Sequence, residues 1–239
     1  GVPLTEEMQQ NLPRSKRTLG AKETTWYEQE GERLARCVRE LGDAAIDDPA
    51  SWAPGFTSEE RTEASWLLQP LKGSPFFALS LGTKAQSNHW GADNWSALIE
   101  KLSGESPGHA LVLIGAPDEF AECESVASKW AGQVLNLCGA CSPRVSGAVI
   151  ERAELFLGHD SGPAHMAAAA GTPVVGVFSS RMASGTWVPH GEHVRVVLHW
   201  VECGGCQLMT CIEQRKKCIL SIGVDEVLDV VREQRKAGR

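Results

Sequence analysis

From Phe76 onward, the sequence predicts an α/β domain built on a parallel sheet, and three features of the chain lead to that class. Short apolar runs alternate with amphipathic stretches of ten or more residues. The runs are apolar throughout, as in strands that are buried on both faces, and their alternation with helices implies parallel pairing with right-handed crossovers. An antiparallel α+β domain would show polar and apolar residues alternating along its strands. We therefore predict a Rossmann-like sheet with flanking helices.

The first 72 residues differ from the rest, because they are polar and contain no run of β-branched residues. We predict a helical connecting segment at 1–72. The stretch YEQEGERLARCVRELG predicts an amphipathic helix that needs a partner and ends at Gly42, a favourable residue after a helix. Thr57 and Glu60 have the spacing of a capping box and predict the start of a second helix. The apolar face of the first helix consists of Leu34, Cys37, Val38 and Leu41.

Residues 73–239 contain the predicted sheet, a cysteine-rich segment and a C-terminal helix. The predicted strands are FFALSL, ALVLIG, QVLNL, ELFLG, PVVGVF and VRVVL. The predicted helices are DNWSALIEKLS, PDEFAECESVASKW, SPRVSGAVIERA and GPAHMAAAAG. Ser142 and Pro143 mark the start of the third of these helices.

Composition excludes several classes of protein. The 239 residues are 42% hydrophobic and 22% charged, which is ordinary for a globular protein. A formal net charge of -7 without a basic run argues against a nucleic-acid partner. No stretch approaches the roughly 18 to 20 apolar residues of a membrane span, and no signal segment opens the chain. We therefore expect a cytoplasmic protein.

Polar residues follow the first two predicted strands, where an open parallel sheet places its ligand crevice. Gly82, Thr83 and Lys84 come after the first strand and offer a small, a hydroxylic and a cationic residue suited to anionic oxygens. Asp118 or Glu119 comes after the second strand, where such folds often hold a ribose hydroxyl.

The segment GHDSGPAH after the fourth strand predicts a diphosphate site. Ser161 and Gly162 begin a helix whose free N–H groups and positive dipole end face the crevice. Gly162 lets a phosphate approach the backbone, and Pro163 suits the first helical turn. Asp160 and His165 lie beside this helix start.

A simpler interpretation stays open for each of these residues. Asp160 and Ser161 are also common helix caps, and His165 is also explained as a helix histidine with its hydrogen bonds satisfied. Lys84 alone is typical of a solvated surface. The aromatic and imidazole side chains of the first loop are more often packing groups, namely His89, Trp90 and Trp95.

Three segments resemble glycosyltransferase family 9, the ADP-heptose heptosyltransferases and their relatives. HDSGPAHMAAAAGTPVVGVF is similar to the family signature, LGTKAQSNHWGADNWSALIEKL to its first donor-domain strand and helix, and CGGCQLMTCIEQRKKC to its cysteine-bearing tail. The resemblance runs from about Phe76 to the C-terminus. It implies a GT-B type C-terminal domain that binds a nucleotide-diphospho-sugar, with ADP as the expected nucleotide.

The resemblance also implies roles for individual residues. Asp160 and His165 would contact the donor sugar, whereas Ser161, Gly162 and Thr83 would hold the diphosphate. The family often has a lysine that neutralises the diphosphate at the position of Asn88, and we expect Lys84 to replace it from the same loop.

The family has two Rossmann-like halves, and this chain begins with Gly1 at what resembles the connection between them. We expect the N-terminal half, with the acceptor site and the general base, to be missing. The full-length enzyme would move a heptose-like sugar to a lipopolysaccharide-type acceptor, whereas this chain would bind the donor and transfer nothing. The alternative is a noncatalytic nucleotide-binding or interaction domain.

Four cysteines fall in one short run, with the spacing C-x2-C-x4-C-x6-C. Thiolates at such spacings can bind a structural zinc ion, but this spacing fits no standard zinc module closely. Reduced, packed thiols or a disulfide are the alternatives that we favour, so we predict no metal and no cofactor besides the nucleotide sugar. The four residues are Cys203, Cys206, Cys211 and Cys218.

Overall fold

The computed structural model describes residues 14–19 and 22–237. Its strands are β1 (Arg14–Leu19), β2 (Lys22–Tyr27), β3 (Phe76–Ser80), β4 (Ala110–Leu113), β5 (Val134–Asn136), β6 (Leu155–His159), β7 (Val174–Phe178) and β8 (Val194–Leu198). Its helices are α1 (Glu30–Cys37), α2 (Ser58–Leu67), α3 (Ala92–Glu105), α4 (Phe120–Ala127), α5 (Pro143–Ile150), α6 (Gly162–Ala169), α7 (Lys217–Leu220) and α8 (Val224–Ala237). All six strands predicted after Phe76 are present.

Strands β3 to β8 form one parallel sheet in the order β5-β4-β3-β6-β7-β8. The chain first builds outward from β3 to β5 and then returns to pair β6 with the other side of β3. This reversal creates a topological switch point between β3 and β6, where Rossmann-type sheets open a ligand crevice at the carboxyl ends of the strands. The predicted Rossmann-like fold class is confirmed, and the loops after β3 and β6 are the ones that meet at the crevice.

Each face of the sheet carries its own hydrophobic core, because successive side chains of a strand point to opposite faces. Phe77 and Leu79 of β3 join one core with residues of α3, α4 and α8. Phe76 and Ala78 join the other with residues of α2, α5 and α6. The four central strands, β3, β4, β6 and β7, are buried along their whole length.

The two edge strands are less buried than their apolar sequences predict. The side chain of Val134 in β5 is 38% exposed, and that of Arg195 in β8 is also exposed. An edge strand has a neighbour on one side only, so its side chains lack half of the cover that a central strand receives. Apolar composition therefore predicted the strands correctly but overstated the burial of these two.

The helical interpretation of the first 72 residues is wrong at the hairpin formed by β1 and β2. The two strands pair antiparallel, with Arg14 opposite Tyr27 and Leu19 opposite Lys22. Neither strand is rich in β-branched aliphatic residues, which is why the composition gave no indication of a sheet. The part of the predicted segment at 1–13 and 20–21 lies outside the described residues.

Both helices predicted in this segment are present, and they differ in burial. Helix α1 is shorter than its apolar pattern, since a 3-10 turn at Arg39–Leu41 separates it from Gly42. Its apolar face is exposed, since Leu34 is 51% exposed, and Leu41 in the 3-10 turn that follows is 89% exposed. Helix α2 begins with the predicted capping box, in which the Glu60 amide donates to Thr57 Oγ1 over 3.2 Å and the Thr57 amide donates to Glu60 Oε2 over 2.8 Å.

The segment around α2 packs directly on the sheet domain. Its buried side chains belong to the core that α5 and α6 also cover, and they are Phe56, Ala64, Leu68 and Leu71. On the surface of the same contact, Arg61 pairs with Glu151 over 2.8 Å. The division of the chain at residue 72 remains a prediction, with α2 as the part that contacts the sheet domain most closely.

Within residues 14–19 and 22–237, no helix has the length and apolar character that a membrane span requires. The longest helices, α3 and α8, have 14 residues each.

Candidate functional site

The loops after β3 and β6 are joined at the switch point by a buried histidine, His159, the last residue of β6. Its Nε2 atom accepts hydrogen bonds from the backbone amide of Trp90 and from the Trp95 indole, each over 3.0 Å. Its Nδ1 atom lies 2.9 Å from the carbonyl oxygen of Leu81. One ring thus connects the end of β6 to both ends of the loop that follows β3 and to helix α3.

These partners determine the protonation state of His159. A carbonyl only accepts, so Nδ1 carries the proton and Nε2 is the acceptor for both donors. Complete burial lowers the pKa of His159 to about 3, with the nearby charge of His89 acting in the same direction. The residue is therefore a neutral structural connection, and its role is to place Asp160, which follows it directly.

The side chain of Asp160 lies in a short polar chain that crosses three strand ends. Asn88, from the loop after β3, lies near the Asp160 carboxyl group and lowers its pKa. Ser179, which follows β7, donates its hydroxyl to Asn88 Oδ1. Burial raises the pKa of Asp160 to about 6, while the positive charge of Arg181 and the hydrogen bond from Asn88 oppose that rise. Asp160 is thus a partly buried carboxylate that is mostly ionised at neutral pH.

Helix α6 begins directly after Asp160 and has no side-chain cap. Ser161 occupies the N-cap position, but its hydroxyl donates back to the carbonyl of His159 over 3.3 Å. A side chain added at Gly162 would meet only open space, so the backbone at the helix start is accessible. The capping alternative for Ser161 is therefore not what the geometry shows, and the helix start is free to interact with an anion.

His165 lies one turn into α6 and is partly buried. Burial lowers the pKa of its imidazole, so the ring is neutral at physiological pH. No hydrogen bond joins its side chain to another side chain in the described part of the protein. The geometry brings His165 to the same helix as Gly162 without showing a contact to Asp160.

The loop after β3 presents two of the predicted phosphate-binding residues. Thr83 Oγ1 lies 3.4 Å from both the amide and the carbonyl of Ala85, which keeps the hydroxyl within the loop. Lys84 is exposed and has no ion pair among the residues that the structure describes. The ammonium group is therefore at the surface of the loop and is not part of the polar chain at Asp160.

Glu119 approaches the crevice from the end of β4. A Cβ atom built on Gly82 would lie 2.0 Å from Glu119 Oε1, and one on Gly115 would lie 2.2 Å from Oε2. The carboxylate is therefore packed against the backbone of both strand ends, where only glycine fits. Burial raises the pKa of Glu119, opposed by the Ala116 amide that donates to it over 3.0 Å.

The sequence identified most of the site residues at the carboxyl edge of the sheet but missed three. His159 was recognised only as a polar residue at a buried strand end, without a role. Ser179 and Arg181 follow β7, the one neighbouring strand end whose polar residues were not considered. The same rule that selected the ends of β3, β4 and β6 would have selected them.

The four clustered cysteines line one small cavity behind the β3 loop. Cys203, Cys206, Cys211 and Cys218 share it with Ser87 and other polar side chains. Their thiols are free. Within residues 14–19 and 22–237, no three His, Cys, Asp or Glu side chains are arranged to hold a metal ion. The prediction that this cluster binds no metal stays untested.

Residues 33–217 match the sequence profile of Glycosyltransferase family 9 (heptosyltransferase). A curated protein of Escherichia coli, Lipopolysaccharide heptosyltransferase 3, is 35% identical over 145 residues. That match covers 59% of this chain and 41% of the relative, so the chain spans less than half of the length of this protein.

Solved structures of the same family share the fold. The glycosyl transferase family 9 protein from Veillonella parvula superimposes with a TM-score of 0.74 at 15% identity, over 88% of this chain and 60% of that one. An E. coli heptosyltransferase, WaaC, solved with ADP-2-deoxy-2-fluoro heptose, gives a TM-score of 0.52 at 21% identity, over 71% of this chain and 47% of that one. Both are similar to this chain in architecture.

Proposed function

This chain belongs to glycosyltransferase family 9, and we propose that it is the donor-binding part of a heptosyltransferase-like enzyme. The donor is a nucleotide-diphospho-sugar, with ADP as its nucleotide. The acceptor is a lipopolysaccharide-type glycan, whose binding site and general base we assign to a second, N-terminal half of the enzyme. The E. coli relatives carry names that refer to this chemistry, which supports the proposal.

The observation that carries the proposal is the arrangement at the switch point. Asp160, whose pKa is lowered by the neighbouring Asn88, lies directly beside the uncapped start of α6. A sugar attached to a diphosphate needs both features at once, since its hydroxyls require a hydrogen-bond acceptor and its phosphates require donors. Only Ser161 separates Asp160 from Gly162 in the chain. The two residues can therefore contact neighbouring groups of one ligand.

The diphosphate is bound, in this proposal, by the backbone at Gly162 together with the hydroxyls of Ser161 and Thr83. Gly162 supplies the free amide in the first turn of α6, because Pro163 has no N–H and the Ala164 amide donates to the Ser161 carbonyl over 3.1 Å. The helix dipole also favours negative charge there. As the sugar–phosphate bond breaks, negative charge grows on the departing diphosphate. Donors that are already in position stabilise this charge without rearrangement, and no metal ion is needed for that step.

The sugar is bound by Asp160, with His165 as a second polar contact from the next helical turn. An ionised carboxylate accepts hydrogen bonds from hydroxyls more strongly than a neutral group does. Glu119 receives the ribose of the nucleotide, because its carboxylate lies at the end of β4 beside the backbone of Gly82. The sugar and the nucleotide therefore lie on opposite sides of the switch point.

Isothermal titration calorimetry with the 239-residue protein tests the proposal. We expect ADP to bind, ADP-heptose to bind more tightly, and UDP, GDP and CDP to bind more weakly than ADP. Adenosine should bind at least about tenfold more weakly than ADP, because charge-assisted hydrogen bonds to phosphate are lost. A matched control is Asp229→Asn, which removes an exposed carboxylate on α8 and should leave all affinities unchanged.

Two outcomes would contradict the proposal. If none of the nucleotides or ADP-heptose binds, the crevice is not a donor site. If adenosine and ADP bind equally well, the phosphates are not recognised, and a nucleotide-binding module without a role in sugar transfer becomes the better description.

A further inference from the structure

A diphosphate brings concentrated negative charge into a protein that is itself acidic. The chain has a formal net charge of -7, and the crevice contains the carboxylates of Asp160 and Glu119. Hydrogen-bond donors alone leave this charge uncompensated in a partly buried site, so a cation close to the helix start is expected on electrostatic grounds.

Three cationic side chains lie near the crevice, and the structure distinguishes between them. Lys84 is exposed on the loop after β3. Lys216 is turned toward the back of that loop, where its Nζ donates to the carbonyl of His89 over 2.9 Å. Arg181 follows β7, at the carboxyl edge of the strand that neighbours β6.

Arg181 is held in a fixed orientation by the cysteine-rich segment. Its Nε atom donates to the carbonyl of Leu208 over 2.9 Å, and Nη2 donates to the carbonyl of Gln207 over 3.1 Å. The backbone amide of Gln207 in turn donates to the carbonyl of Arg181 over 2.8 Å. The Nη2 atom also donates to Met209 Sδ over 3.3 Å. Nη1 makes no hydrogen bond to the residues that the structure describes, so its two N–H groups remain for a ligand.

Two observations connect Arg181 to the sugar-binding side of the crevice. It lies two residues after Ser179, whose hydroxyl donates to Asn88, and its strand β7 pairs directly with β6, which Asp160 follows. In addition, the positive charge of Arg181 lowers the pKa of Asp160 against the effect of burial. The guanidinium is therefore close enough to act on charges at the start of α6.

We propose that Arg181 binds the diphosphate of the donor through its free Nη1 group, and that the cysteine-rich segment serves to orient it. This inference rests on the proposed donor-binding function. The guanidinium is always charged and is fixed by its contacts to the carbonyls of Gln207 and Leu208, whereas Lys84 is exposed on its loop. Arg181, rather than the exposed Lys84, is then the main cation of the site.

The test compares ADP with adenosine by calorimetry for the parent protein and for Arg181→Gln. Removal of the guanidinium should weaken ADP binding by about tenfold or more and change adenosine binding by less than about twofold. Raising the salt concentration should reduce the difference between parent and variant. Arg181→Lys should keep part of the ADP affinity, and Lys84→Ala should cost less than Arg181→Gln.

The matched control is Arg195→Gln. Arg195 lies near the amino end of β8, at the edge of the sheet away from the crevice, and its Nη1 also donates to two backbone carbonyls, those of Glu192 and Val194. This variant removes an arginine with similar backbone contacts, so its binding of ADP and adenosine should equal that of the parent.

Unchanged ADP binding in Arg181→Gln, or an equal loss for ADP and adenosine, would overturn the inference while leaving donor binding intact. A larger loss in Lys84→Ala would overturn it as well. If thermal unfolding shows that Arg181→Gln does not fold, Arg181→Lys decides, since full ADP affinity in this variant would contradict a role for the oriented guanidinium. Failure of the parent protein to bind ADP would instead refute the proposed function itself.

Discussion

Asp160 and Glu119 are two carboxyl groups on the same edge of one sheet, and their surroundings differ. Burial raises the pKa of both. Asp160 has a neutral amide donor in Asn88 and a positive charge in Arg181, which keep it largely ionised at neutral pH. Glu119 has one backbone donor, and the charges of Asp118 and Glu122 raise its pKa further.

This difference shows how one crevice can be divided electrostatically. The side at β6 and β7 combines an ionised acceptor with a cation and a free helix start, which suits a sugar diphosphate. The side at β4 carries Glu119, which has no ion pair among the described residues, and this suits a neutral, hydroxyl-bearing group such as a ribose. Each of the following substitutions removes one of the side chains that distinguish or support the two sides of the crevice.

The largest effect is expected when the support of Asp160 is removed by His159→Ala. The substitution leaves a carbonyl and two N–H donors without their buried partner and opens a cavity, so the free energy of unfolding should fall by about 3–5 kcal/mol. Urea unfolding measures it. His199→Ala is the control, because His199 bonds Ser221 and Glu226 at a partly exposed site and should cost less than about 1 kcal/mol. A similar, small loss in both variants would show that His159 does not hold this edge together.

A smaller effect concerns the pH dependence of stability, measured with Asp160→Asn. The folded pKa of Asp160 is about 6, above its ordinary value of 3.8, so folding favours the protonated form. The resulting stabilisation is complete below pH 3.8 and is lost as the pH rises through 6. Relative to the variant, the parent should therefore lose up to about 3 kcal/mol of unfolding free energy between pH 4 and pH 7.

Urea unfolding at several pH values in this range checks the linkage. Asp229→Asn should give a curve parallel to that of the parent, since Asp229 is 65% exposed in its ion pair with Arg232. Parallel curves for Asp160→Asn and the parent would mean that Asp160 is solvated like an ordinary surface carboxyl.

The third effect concerns binding. Asp160→Ala should weaken ADP-heptose by about 1–3 kcal/mol and bare ADP by much less, because the carboxylate is proposed to accept hydroxyls of the sugar. Calorimetric titration of both ligands gives the two losses. If ADP-heptose and ADP lose the same affinity, Asp160 acts on the diphosphate or on the fold instead of the sugar.

The smallest effect is expected at Glu119→Gln. Glutamine can still accept the Ala116 amide, so stability should change by less than about 1 kcal/mol. The parent should prefer ADP over 2′-deoxy-ADP by a few-fold, and the variant should lose most of that preference because a neutral amide oxygen is a weaker acceptor. An unchanged preference in the variant would place the ribose elsewhere. The preference of ADP-heptose over ADP should stay as in the parent, which separates this side of the crevice from that of Asp160.

Much of the fold was predictable because it depends on local patterns. Buried strands such as β6 and β7 are recognisable from uninterrupted apolar runs, and the start of α2 from the spacing of Thr57 and Glu60. The hairpin of β1 and β2 was not predictable in this way. Its pairing depends on backbone hydrogen bonds between two polar segments, and such bonds leave no hydrophobic periodicity in the sequence.

The candidate site was predictable only as a set of separate strand ends. The segments around Thr83, Glu119 and Asp160 each showed polar residues after a buried strand, but their spacing in the chain did not show which of them meet. Asn88 was identified as a departure from the family pattern, without its contact to Asp160. Arg181 was not identified because the polar residues after β7 were not considered, and its contacts to the carbonyls of residues 207 and 208 join positions that are remote in sequence.

The sequence by itself therefore determined the fold class, the strands of the main sheet, the helix start at Gly162 and the family. These features depend on local propensities and on the alternation of apolar and polar residues, which any stretch of chain carries on its own. Only the tertiary structure decided that β3 and β6 are neighbours, that His159 is neutral and connects their loops, and that Asp160 lies between Asn88 and Arg181. Strand order and burial bring together residues that are up to about a hundred positions apart in the chain. The protonation states of His159 and Asp160 depend on these neighbours and on burial.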